Sequence, residues 1–337
     1  MAQAVIMAGG QGERFWPLTH KDFPKYRIRL NDKESLLQRT YGRLLRLYDR
    51  KNIHVVTTQD HAHIIREELP KLPSSNILIE PSRRNTAAAI FFSCKILEKS
   101  CGNQEVVSFF PADHLIQNEA KFRQTLKNAI RAAQKKSCLV TIGVKPTFAC
   151  TGYGYIQAGK PIQSVTAACR VKAFKEKPSR KIAEKYLKMK DFFWNGGIFT
   201  WRIQTFLETL NLVSPDFYRA LDFRNLKGSY DKLPRLSIDL ALLEKADNLT
   251  LVKTNMDWCD MGSWDMFLEK ARRDAQGKFV AGNSPQRDCR NVLLLNYKEN
   301  APLIAFGVSD LIAVQTDQGT LICKRHRSEE AAVLLKK

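Results

Sequence analysis

A glycine-rich turn near the start of the chain is the first candidate for chemistry. Three glycines, Gly9, Gly10 and Gly12, follow the apolar run AVIMA, and Arg14 and Lys25 place two cations beside the turn. Glycine permits positive φ and lets backbone N–H groups approach an anion closely, so a turn of this kind after a strand can bind phosphate. Two flanking cations suit a polyphosphate better than a dinucleotide.

The turn matches neither of the common nucleotide-binding motifs. No Gly-Lys-Ser/Thr closes it as in a Walker A loop. Phe15 stands where the third glycine of G-x-G-x-x-G would be. A plain structural turn is therefore the alternative for the glycines, and a solvated surface side chain is the alternative for Lys25.

Two aspartates follow apolar runs further along the chain. Asp113 comes shortly after EVVSFF, a run typical of a buried strand, and Asp260 lies in a turn of WCDMGSW, ahead of a predicted helix. Magnesium is commonly held by one or two carboxylates together with phosphate oxygens. For each aspartate the alternative is a helix cap or a turn residue.

The order of these motifs is similar to that of a known family. AGGQGERFWPLTHKDFPK, at residues 8–25, resembles the signature of the sugar-nucleotide pyrophosphorylases. Further blocks resemble the mannose-1-phosphate guanylyltransferase branch of that family, at residues 80–90, 110–114, 151–156, 174–178, 194–201, 237–246 and 258–264. The blocks come in the family's order and cover residues 1–270 or so.

The resemblance implies an enzyme that transfers GMP from GTP to α-D-mannose 1-phosphate and releases pyrophosphate. Such a step is an in-line attack on the α-phosphorus, and it needs two anions held together and the developing charge neutralised. The implied catalytic residues are Arg14, Lys25, Asp113 and Asp260. Mg²⁺ is the implied cofactor, with Asp113 and Asp260 as its ligands.

The resemblance also implies the binding residues. Those for the nucleotide are Ala8, Gly9, Gly10, Gly12, Arg84, Asn85, Thr86 and Asp113. Those for the sugar phosphate are Gly154, Glu176, Lys177 and Asn195. Two alternatives stay open here: Asn85 could serve only as a helix cap, and Lys177 could belong to a solvated lysine-rich helix face. His61 and His63, a tempting metal pair, are interpreted as part of an ordinary helix start.

Several positions depart from the family pattern. Tyr26 and Arg27 follow Pro-Lys where the family often has Gln and a large apolar residue, and Arg83, Ala88 and Gly196 replace Gly, Pro and Ser. These departures leave the phosphate and metal positions intact. They bear on the choice of base and sugar.

Alternating apolar runs and helical periods must position these residues. Residues 4–8, 53–58, 76–80, 105–110 and 138–144 are predicted strands, and helices are predicted after Ser35 and from Asn85 to about Lys99. This alternation predicts parallel strands in a doubly wound α/β sheet. The resemblance implies a mixed, doubly wound sheet of the Rossmann-like nucleotidyltransferase (GT-A-like) type.

The rest of the chain predicts an insertion and a small β unit. CRVKAFKEKP, FFWNGGIFTW and NLTLVKTN are predicted strands, and residues 179–189, 237–246 and 264–273 are predicted helices. Four short strand-like runs then begin near Val292, Leu303, Leu311 and Leu321. The predicted domains are a nucleotidyltransferase catalytic domain, 1–275, and a small β-rich C-terminal domain, 280–337. The latter is a candidate dimerisation element, so a homodimer is one alternative.

Composition restricts the class of protein further. The 337 residues carry a net charge of +20, which suggests anionic partners, but no zinc-finger, RNA-binding or basic-zipper pattern accompanies it, so nucleic acid is not an expected partner. The eight scattered cysteines predict reduced thiols and a cytoplasmic location. No apolar run is long enough to span a bilayer, so no membrane association is expected.

Three rival functions remain at this point. The first is a nucleotidyltransferase of the same fold with another NTP or sugar phosphate. The second is a non-catalytic regulatory subunit that binds a sugar nucleotide, against which the presence of Lys25, Asp113, Lys177 and Asp260 together argues. The third, a basic nucleic-acid-binding protein, predicts binding that falls steeply with salt and ignores GTP.

Overall fold

The computed structural model describes residues 2–10, 12–30, 33–331 and 334. Its strands are β1 (Gln3–Met7), β2 (Ile53–Thr58), β3 (Ile77–Glu80), β4 (Val106–Pro111), β5 (Leu115–Ile116), β6 (Leu139–Val144), β7 (Tyr155–Pro161), β8 (Ala168–Lys175), β9 (Phe192–Arg202), β10 (Leu249–Thr254), β11 (Trp258–Cys259), β12 (Phe279–Ala281), β13 (Gln286–Arg287), β14 (Leu293–Asn296), β15 (Ala305–Phe306), β16 (Leu311–Thr316) and β17 (Gly319–Lys324). Its α-helices are α1 (Leu36–Leu44), α2 (Ala62–Glu68), α3 (Asn85–Cys101), α4 (Glu119–Lys135), α5 (Arg180–Lys188), α6 (Ile203–Val213), α7 (Pro215–Arg219), α8 (Leu226–Lys232), α9 (Trp264–Lys270) and α10 (Ser328–Ala331).

The first of two compact units contains Met1–Gly9, Thr40–Ala112 and Ile116–Trp258. Its sheet has nine strands in the order β3-β2-β1-β4-β9-β6-β10-β8-β7. β1 pairs in parallel with β2 and β4, β2 with β3, and β6 with β10. β9 runs antiparallel to both β4 and β6, and β8 runs antiparallel to β10 and β7. The sheet is therefore mixed, as the resemblance implied.

The parallel strands of this unit end at one edge of the sheet. α3 packs against β1, β2 and β3, and α4 against β4, β6 and β10, which is why these strands are almost continuously apolar in sequence. Met7 pairs with Pro111, and Thr58 with Glu80, so β1 to β4 finish side by side. Open α/β sheets bind their ligands at this carboxyl edge.

The second unit contains Gly10–Arg39, Asp113–Leu115 and Cys259–Lys337. β12, β14 and β16 pair in parallel in sequence order, β13 pairs in parallel with β15, and β17 closes the larger sheet antiparallel to β16. Successive strands from β12 to β16 thus alternate between the two sheets. The chain forms a coil in which the strands of each turn pair with those of the next. The four predicted C-terminal strands are confirmed as β14 to β17.

The segment after the glycine-rich turn is part of the core of this second unit. Phe15 and Leu18 pack with Trp264 and with the buried side chains of β14 and β16. Trp264 Nε1 donates to the Trp16 carbonyl over 3.1 Å, and Thr316 Oγ1 donates to the Pro17 carbonyl, also over 3.1 Å. By contacts, residues 10–39 therefore group with the C-terminal strands. The predicted domain boundary between residues 275 and 280 stays a prediction.

Two predicted helices differ from the structure. Residues 237–246 contain a π-helical turn, Asp239–Leu243, in place of an α-helix, and the helix predicted for residues 264–273 ends at Lys270. Periodicity cannot distinguish a π turn from an α turn over five residues. All eight cysteines are free thiols, and no helix among the described residues is long and apolar enough to cross a membrane.

Candidate active site

Gly12 shapes the glycine-rich turn within the second unit. Its φ of 73° lies in the left-handed region, and a Cβ at this position would lie 2.5 Å from the Lys25 Cβ. Its carbonyl accepts hydrogen bonds from Phe15 N and Thr19 Oγ1 at 2.8 and 2.7 Å. Only glycine satisfies both the dihedral angle and the close approach.

Lys25 is buried, with 8% of its surface exposed. Its Nζ lies 2.6 Å from Asp113 Oδ2 and donates to the Asp260 carbonyl over 2.6 Å. The reading of Lys25 as an ordinary surface lysine is therefore wrong. An ammonium in this position joins three segments of the second unit that are far apart in sequence.

Asp113 is half-buried and remains ionised beside Lys25. Burial raises the pKa of the Asp113 carboxyl, but the charges of Lys25 and His114 lower it, and the pKa ends below its ordinary value. At neutral pH this group is a carboxylate, which is the form that a hard cation needs.

Asp260 projects from a turn with an unusual backbone. Met261, the next residue, has φ 49°, and its N–H lies 3.3 Å from the Cys259 sulfur. A Cβ at Gly262 would lie 3.0 Å from Asp260 Oδ1 and 3.3 Å from Arg14 Nη1. Arg14 and Asp260 are therefore neighbours across Gly262.

The two carboxylates fit the requirements of magnesium. Among the residues that the structure describes, no group of three or more His, Cys, Asp or Glu side chains could hold a metal ion by itself. Asp113 and Asp260 provide hard oxygen donors, and magnesium typically takes one or two carboxylates and completes its shell with phosphate oxygens and water. The magnesium cofactor itself stays a prediction.

In the first unit, a buried carboxylate lies at the sheet edge beside Gly9. Glu80 ends β3, and a Cβ at Gly9 would lie 3.3 Å from Glu80 Oε1. Tyr230 OH donates to Glu80 Oε2 over 2.5 Å. Burial raises the pKa of Glu80 to about 7, against the lowering effects of Tyr230 and Arg83. A carboxyl with so altered a pKa at a ligand-binding edge is a site candidate that the sequence did not single out.

The start of α3 lies near this carboxyl. Asn85 has φ 68° and accepts from Thr86 N through Oδ1 at 2.8 Å, while Arg84 occupies the N-cap position. The reading of Asn85 as a conventional N-cap is therefore wrong. Thr86 Oγ1 accepts from Ile238 N at 2.9 Å, and Arg84 Nη2 lies 3.9 Å from an Asp231 oxygen.

The predicted sugar-phosphate residues form a second group within the first unit. A Cβ at Gly154 would lie 2.6 Å from Glu176 Oε2 and 3.4 Å from the Asn195 Cβ. Lys177 Nζ lies 3.3 Å from Glu176 Oε1, and Asn195 Nδ2 donates to Asp239 Oδ1 over 2.8 Å. Gly154, Glu176, Lys177 and Asn195 thus lie together, with Asp239 as an additional member.

Comparisons with known proteins identify the family. The nucleotidyl transferase family model matches residues 3–277. The chain belongs to the nucleotidyl transferase family. A mannose-1-phosphate guanylyltransferase of Escherichia coli is 32% identical over 338 residues, which cover 95% of this chain and 72% of that protein. The xanthan biosynthesis protein XanB of Xanthomonas campestris pv. campestris (strain B100) is 35% identical over 341 residues, 97% and 71% of the two chains.

A solved structure has the same fold over nearly the whole chain. The crystal structure of mannose-1-phosphate geranyltransferase from Thermus thermophilus superimposes with a TM-score of 0.88 at 28% identity, covering 99% of this chain and 98% of that one. The match includes the β-rich C-terminal strands as well as the nucleotidyl transferase sheet. Family members use a nucleoside triphosphate and a sugar phosphate.

Three of the residues that depart from the family pattern, Arg27, Arg83 and Gly196, have identifiable neighbours in this nucleotidyl transferase. The Arg27 guanidinium lies 5.6 Å from the centre of the Phe23 ring. Arg83 Nη2 lies 2.8 Å from His61 Nε2, so His61 contacts a cation, and its pKa is lowered by burial and by that charge. A Cβ at Gly196 would lie 2.9 Å from the Ile142 carbonyl. Glycine at 196 thus allows β9 to approach β6 closely.

Sequence reasoning missed Glu80 and Asp239. Both lie inside blocks that carry the family resemblance, at the first position of residues 80–90 and the third position of residues 237–246. Glu80 lies at the end of a predicted buried strand and Asp239 in a predicted helix. Neither position gave a reason to select the residue for the site. Their burial and their neighbours make them candidates for the site.

Proposed function

We propose that the protein transfers GMP from GTP to α-D-mannose 1-phosphate, with magnesium as cofactor, and releases pyrophosphate. A sugar-phosphate oxygen forms a bond to the α-phosphorus of GTP, and the bond from that phosphorus to the bridging oxygen breaks. The electron pair leaves with pyrophosphate. The names of the relatives support the choice of guanine and mannose.

The observation that carries the proposal is the position of Lys25 against Asp113 and Asp260. The Lys25 ammonium lies 2.6 Å from the Asp113 carboxylate and 2.6 Å from the main-chain carbonyl of Asp260. It is therefore preorganised, and little reorganisation is needed when charge develops on the leaving group. We assign Arg14 and Lys25 to the leaving pyrophosphate. Asp113 and Asp260 would hold magnesium, which supplies further neutralisation of phosphate charge when bound.

We assign the two ends of the product to the first unit. Arg84 to Thr86, at the start of α3, are assigned to the guanine and ribose end, Gly9, Gly10 and Gly12 to the triphosphate, and Ala8 to the nucleotide as a whole. Gly154, Glu176, Lys177 and Asn195 are assigned to mannose 1-phosphate, with the Lys177 ammonium on the phosphate. A compact ammonium suits that contact because it needs no fixed planar geometry.

Pyrophosphate release tests the proposal. The protein is assayed with mannose 1-phosphate and each of the four NTPs, first with Mg²⁺ and then with EDTA. Release with GTP alone that disappears in EDTA is the expected result. Release with another NTP or only with another sugar phosphate would move the protein to a sister activity, and no release with any combination would favour the regulatory reading.

The substitution Asp260→Asn tests whether Asp260 is a metal ligand, because it should change turnover without changing the stability of the fold. We expect turnover to fall by at least about 100-fold, since one preorganised charge contact is removed, while the melting temperature stays near that of the unmodified protein. Asp257→Asn is the matched control, because Asp257 is an exposed aspartate three positions earlier. Full activity of Asp260→Asn would refute the metal assignment.

A further inference from the structure

His61 is a fully buried histidine that the proposed function does not use. It lies just before α2, and its Nε2 is 2.8 Å from Arg83 Nη2. A guanidinium can only donate, so Nε2 accepts and the proton of the neutral ring is on Nδ1. Burial lowers the pKa of His61 and the charge of Arg83 lowers it further, so the ring is neutral at physiological pH.

The ends of two strands hold this ring in place. The backbone of Ala8 hydrogen-bonds with the His61 ring, and the Ala8 carbonyl also accepts from Thr57 Oγ1 over 2.8 Å. Ala8 N in turn donates to the Val56 carbonyl over 2.9 Å. His61 is therefore fixed against the ends of β1 and β2, and through His61 the Arg83 guanidinium is held at the same edge of the sheet. A buried acceptor that orients a cation in this way preorganises it.

Arg83 lies in the segment that joins the end of β3 to α3. Burial raises the pKa of Glu80 to about 7, and the charge of Arg83 acts in the opposite direction, so the guanidinium is close to this carboxyl as well as to His61. The residues that follow directly, Arg84 to Thr86, are those assigned to the guanine and ribose end. Arg83 is half-buried, and its contact with His61 uses one of the five N–H donors of a guanidinium.

A cation beside a carboxyl group complements one edge of guanine. Guanine presents the acceptors O6 and N7 side by side and carries a donor at N1 next to O6, whereas adenine has a donor, N6, in place of O6. An arginine can bind O6 and N7 together through two parallel hydrogen bonds. A phosphate would be repelled by an ionised Glu80, so the surroundings of Arg83 favour a base over a phosphate.

We propose that Arg83 binds the O6 and N7 edge of guanine and selects GTP over ATP, and that His61 is the positioning residue that holds the guanidinium for this contact. The inference rests on the proposed function. Because Arg83 replaces a glycine of the family pattern, the contact is particular to this chain. Adenine would place its N6 donor against the donors of the guanidinium, and both groups would then lack an acceptor.

Nucleotide binding to the full chain tests the inference. Dissociation constants are measured by calorimetry with Mg²⁺ and without sugar phosphate, for GTP, ATP, ITP and 7-deaza-GTP. In Arg83→Ala we expect the Kd for GTP to rise about 10- to 100-fold and the Kd for ATP to change by less than about threefold. Arg66→Ala, which changes an exposed arginine on α2, is the matched control and should bind all four nucleotides like the unmodified protein.

The two guanine analogues give the decisive readout. The unmodified protein should bind 7-deaza-GTP, which lacks N7, about 5- to 10-fold more weakly than GTP. Arg83→Ala should bind the two within about twofold of each other, because its contact with N7 is already absent. ITP lacks only the 2-amino group, so Arg83→Ala should lose as much affinity for ITP as for GTP. Equal losses with GTP, ATP and 7-deaza-GTP would overturn the inference, since they would place Arg83 on a phosphate or in a purely structural role.

Variants of His61 test its positioning role. His61→Leu removes the acceptor and should show the same base-dependent loss as Arg83→Ala, and combining the two substitutions should add little. His61→Gln, which carries an amide oxygen near the position of Nε2, should restore most of the preference for GTP. An unchanged preference for GTP in His61→Leu would refute the positioning role.

Replacement variants keep the test valid if a first variant unfolds. If Arg83→Ala melts well below the unmodified protein, Arg83→Lys takes its place, because lysine keeps the charge beside Glu80 without the planar pair of donors. If His61→Leu does so, His61→Met, which also lacks a strong acceptor, takes its place. The same base-dependent losses are expected from both.

The result is separable from the proposed function. An unmodified protein that prefers another NTP to GTP would contradict the proposed function and the inference together. A protein that prefers GTP, but whose Arg83→Ala variant loses affinity equally for all four nucleotides, contradicts only the inference. A protein that shows the base-dependent losses yet releases no pyrophosphate would support the inference and contradict the proposed function.

Discussion

Single residues in this protein are constrained by contacts that their types alone do not reveal. Gly10 and Gly12 belong to one turn, yet a Cβ at Gly10 would meet nothing within 4 Å, whereas a Cβ at Gly12 would collide with Lys25. Glu80 ends a strand like many exposed glutamates but is 4% exposed and bonded to Tyr230. Substitutions at these residues should therefore have effects that their types do not foretell.

Gly12→Ala should destabilise the turn while Gly10→Ala should not. At Gly12 the positive φ and the 2.5 Å approach to Lys25 both oppose a side chain, so we expect the free energy of unfolding to fall by about 1–3 kcal/mol. At Gly10 neither obstacle exists, so its substitution should change stability by less than about 0.5 kcal/mol. Urea unfolding of the two variants measures the difference, and equal stabilities would contradict the geometry of the turn.

Glu80→Gln should change how stability depends on pH. The Glu80 pKa is about 7 in the folded protein against an ordinary 4.5, so between these values the folded state keeps a proton that the unfolded state has released. Glu80 therefore lowers the stability of the protein as pH rises from about 4.5 to about 7, by roughly 3 kcal/mol in all.

The measurement is urea unfolding of both proteins at several pH values. The stability of Glu80→Gln relative to the unmodified protein should increase from pH 5 to pH 8. Glu67→Gln, which changes an exposed carboxyl on α2, is the control for removing one carboxylate charge. A pH-independent difference for Glu80→Gln would show that Glu80 titrates normally.

At the scale of elements, α9 is held to the C-terminal end of the chain by one buried carboxylate. Asp265 accepts from His326 N and Ser328 Oγ over 2.8 and 2.9 Å, and its Oδ1 lies 3.4 Å from Arg325 Nε. The Arg325 side chain is only 8% exposed. The helix that follows the Asp260 turn is therefore anchored through its second residue.

Asp265→Ala should be strongly destabilising. It removes the nearest carboxylate of the buried Arg325 guanidinium, and breaking a buried ion pair from one side costs about 3–5 kcal/mol. Glu330→Ala removes the exposed pair with Arg327 and should leave stability nearly unchanged, because solvent screens such a pair. Thermal unfolding of both variants checks the contrast, which would be refuted by similar losses.

At the scale of the whole molecule, the division of the chain into units differs from its order in sequence. Residues 10–39 and the turn that holds Asp260 share a unit with the C-terminal strands. Phe15 and Leu18 share a core cluster with Leu293 and Ile312. The C-terminal strands are thus part of the support for Lys25 and its neighbours.

A chain that ends at Gln276 should therefore lose pyrophosphate release. Without β12 to β17, the apolar side chains of residues 13–30 lose their packing partners, and limited proteolysis should cut that segment faster than in the full chain. Leu293→Ala, a milder change, should cost about 2–5 kcal/mol and reduce activity only near its melting temperature. A truncated chain with full activity would instead support two domains divided at 275–280.

Much of the fold and the residues of the candidate phosphate site could be predicted from the sequence. Strands β1 to β4 are continuous apolar runs because parallel strands are buried on both faces, and that pattern is local. The glycine-rich turn, Lys25, Asp113 and Asp260 lie in distinctive motifs, so their types and order sufficed to select them.

The tertiary structure alone decided the rest. Burial of Lys25, the raised pKa of Glu80 and the pairing of Asp239 with Glu176 depend on residues that are far apart in sequence or on strands of opposite direction. A carboxylate has the same letter in the sequence whether it faces water or another carboxylate. Its desolvation and its neighbours' charges exist only once the chain has folded. The sequence therefore determined the fold class and the family, and the structure determined how buried each acid is and which charges surround it.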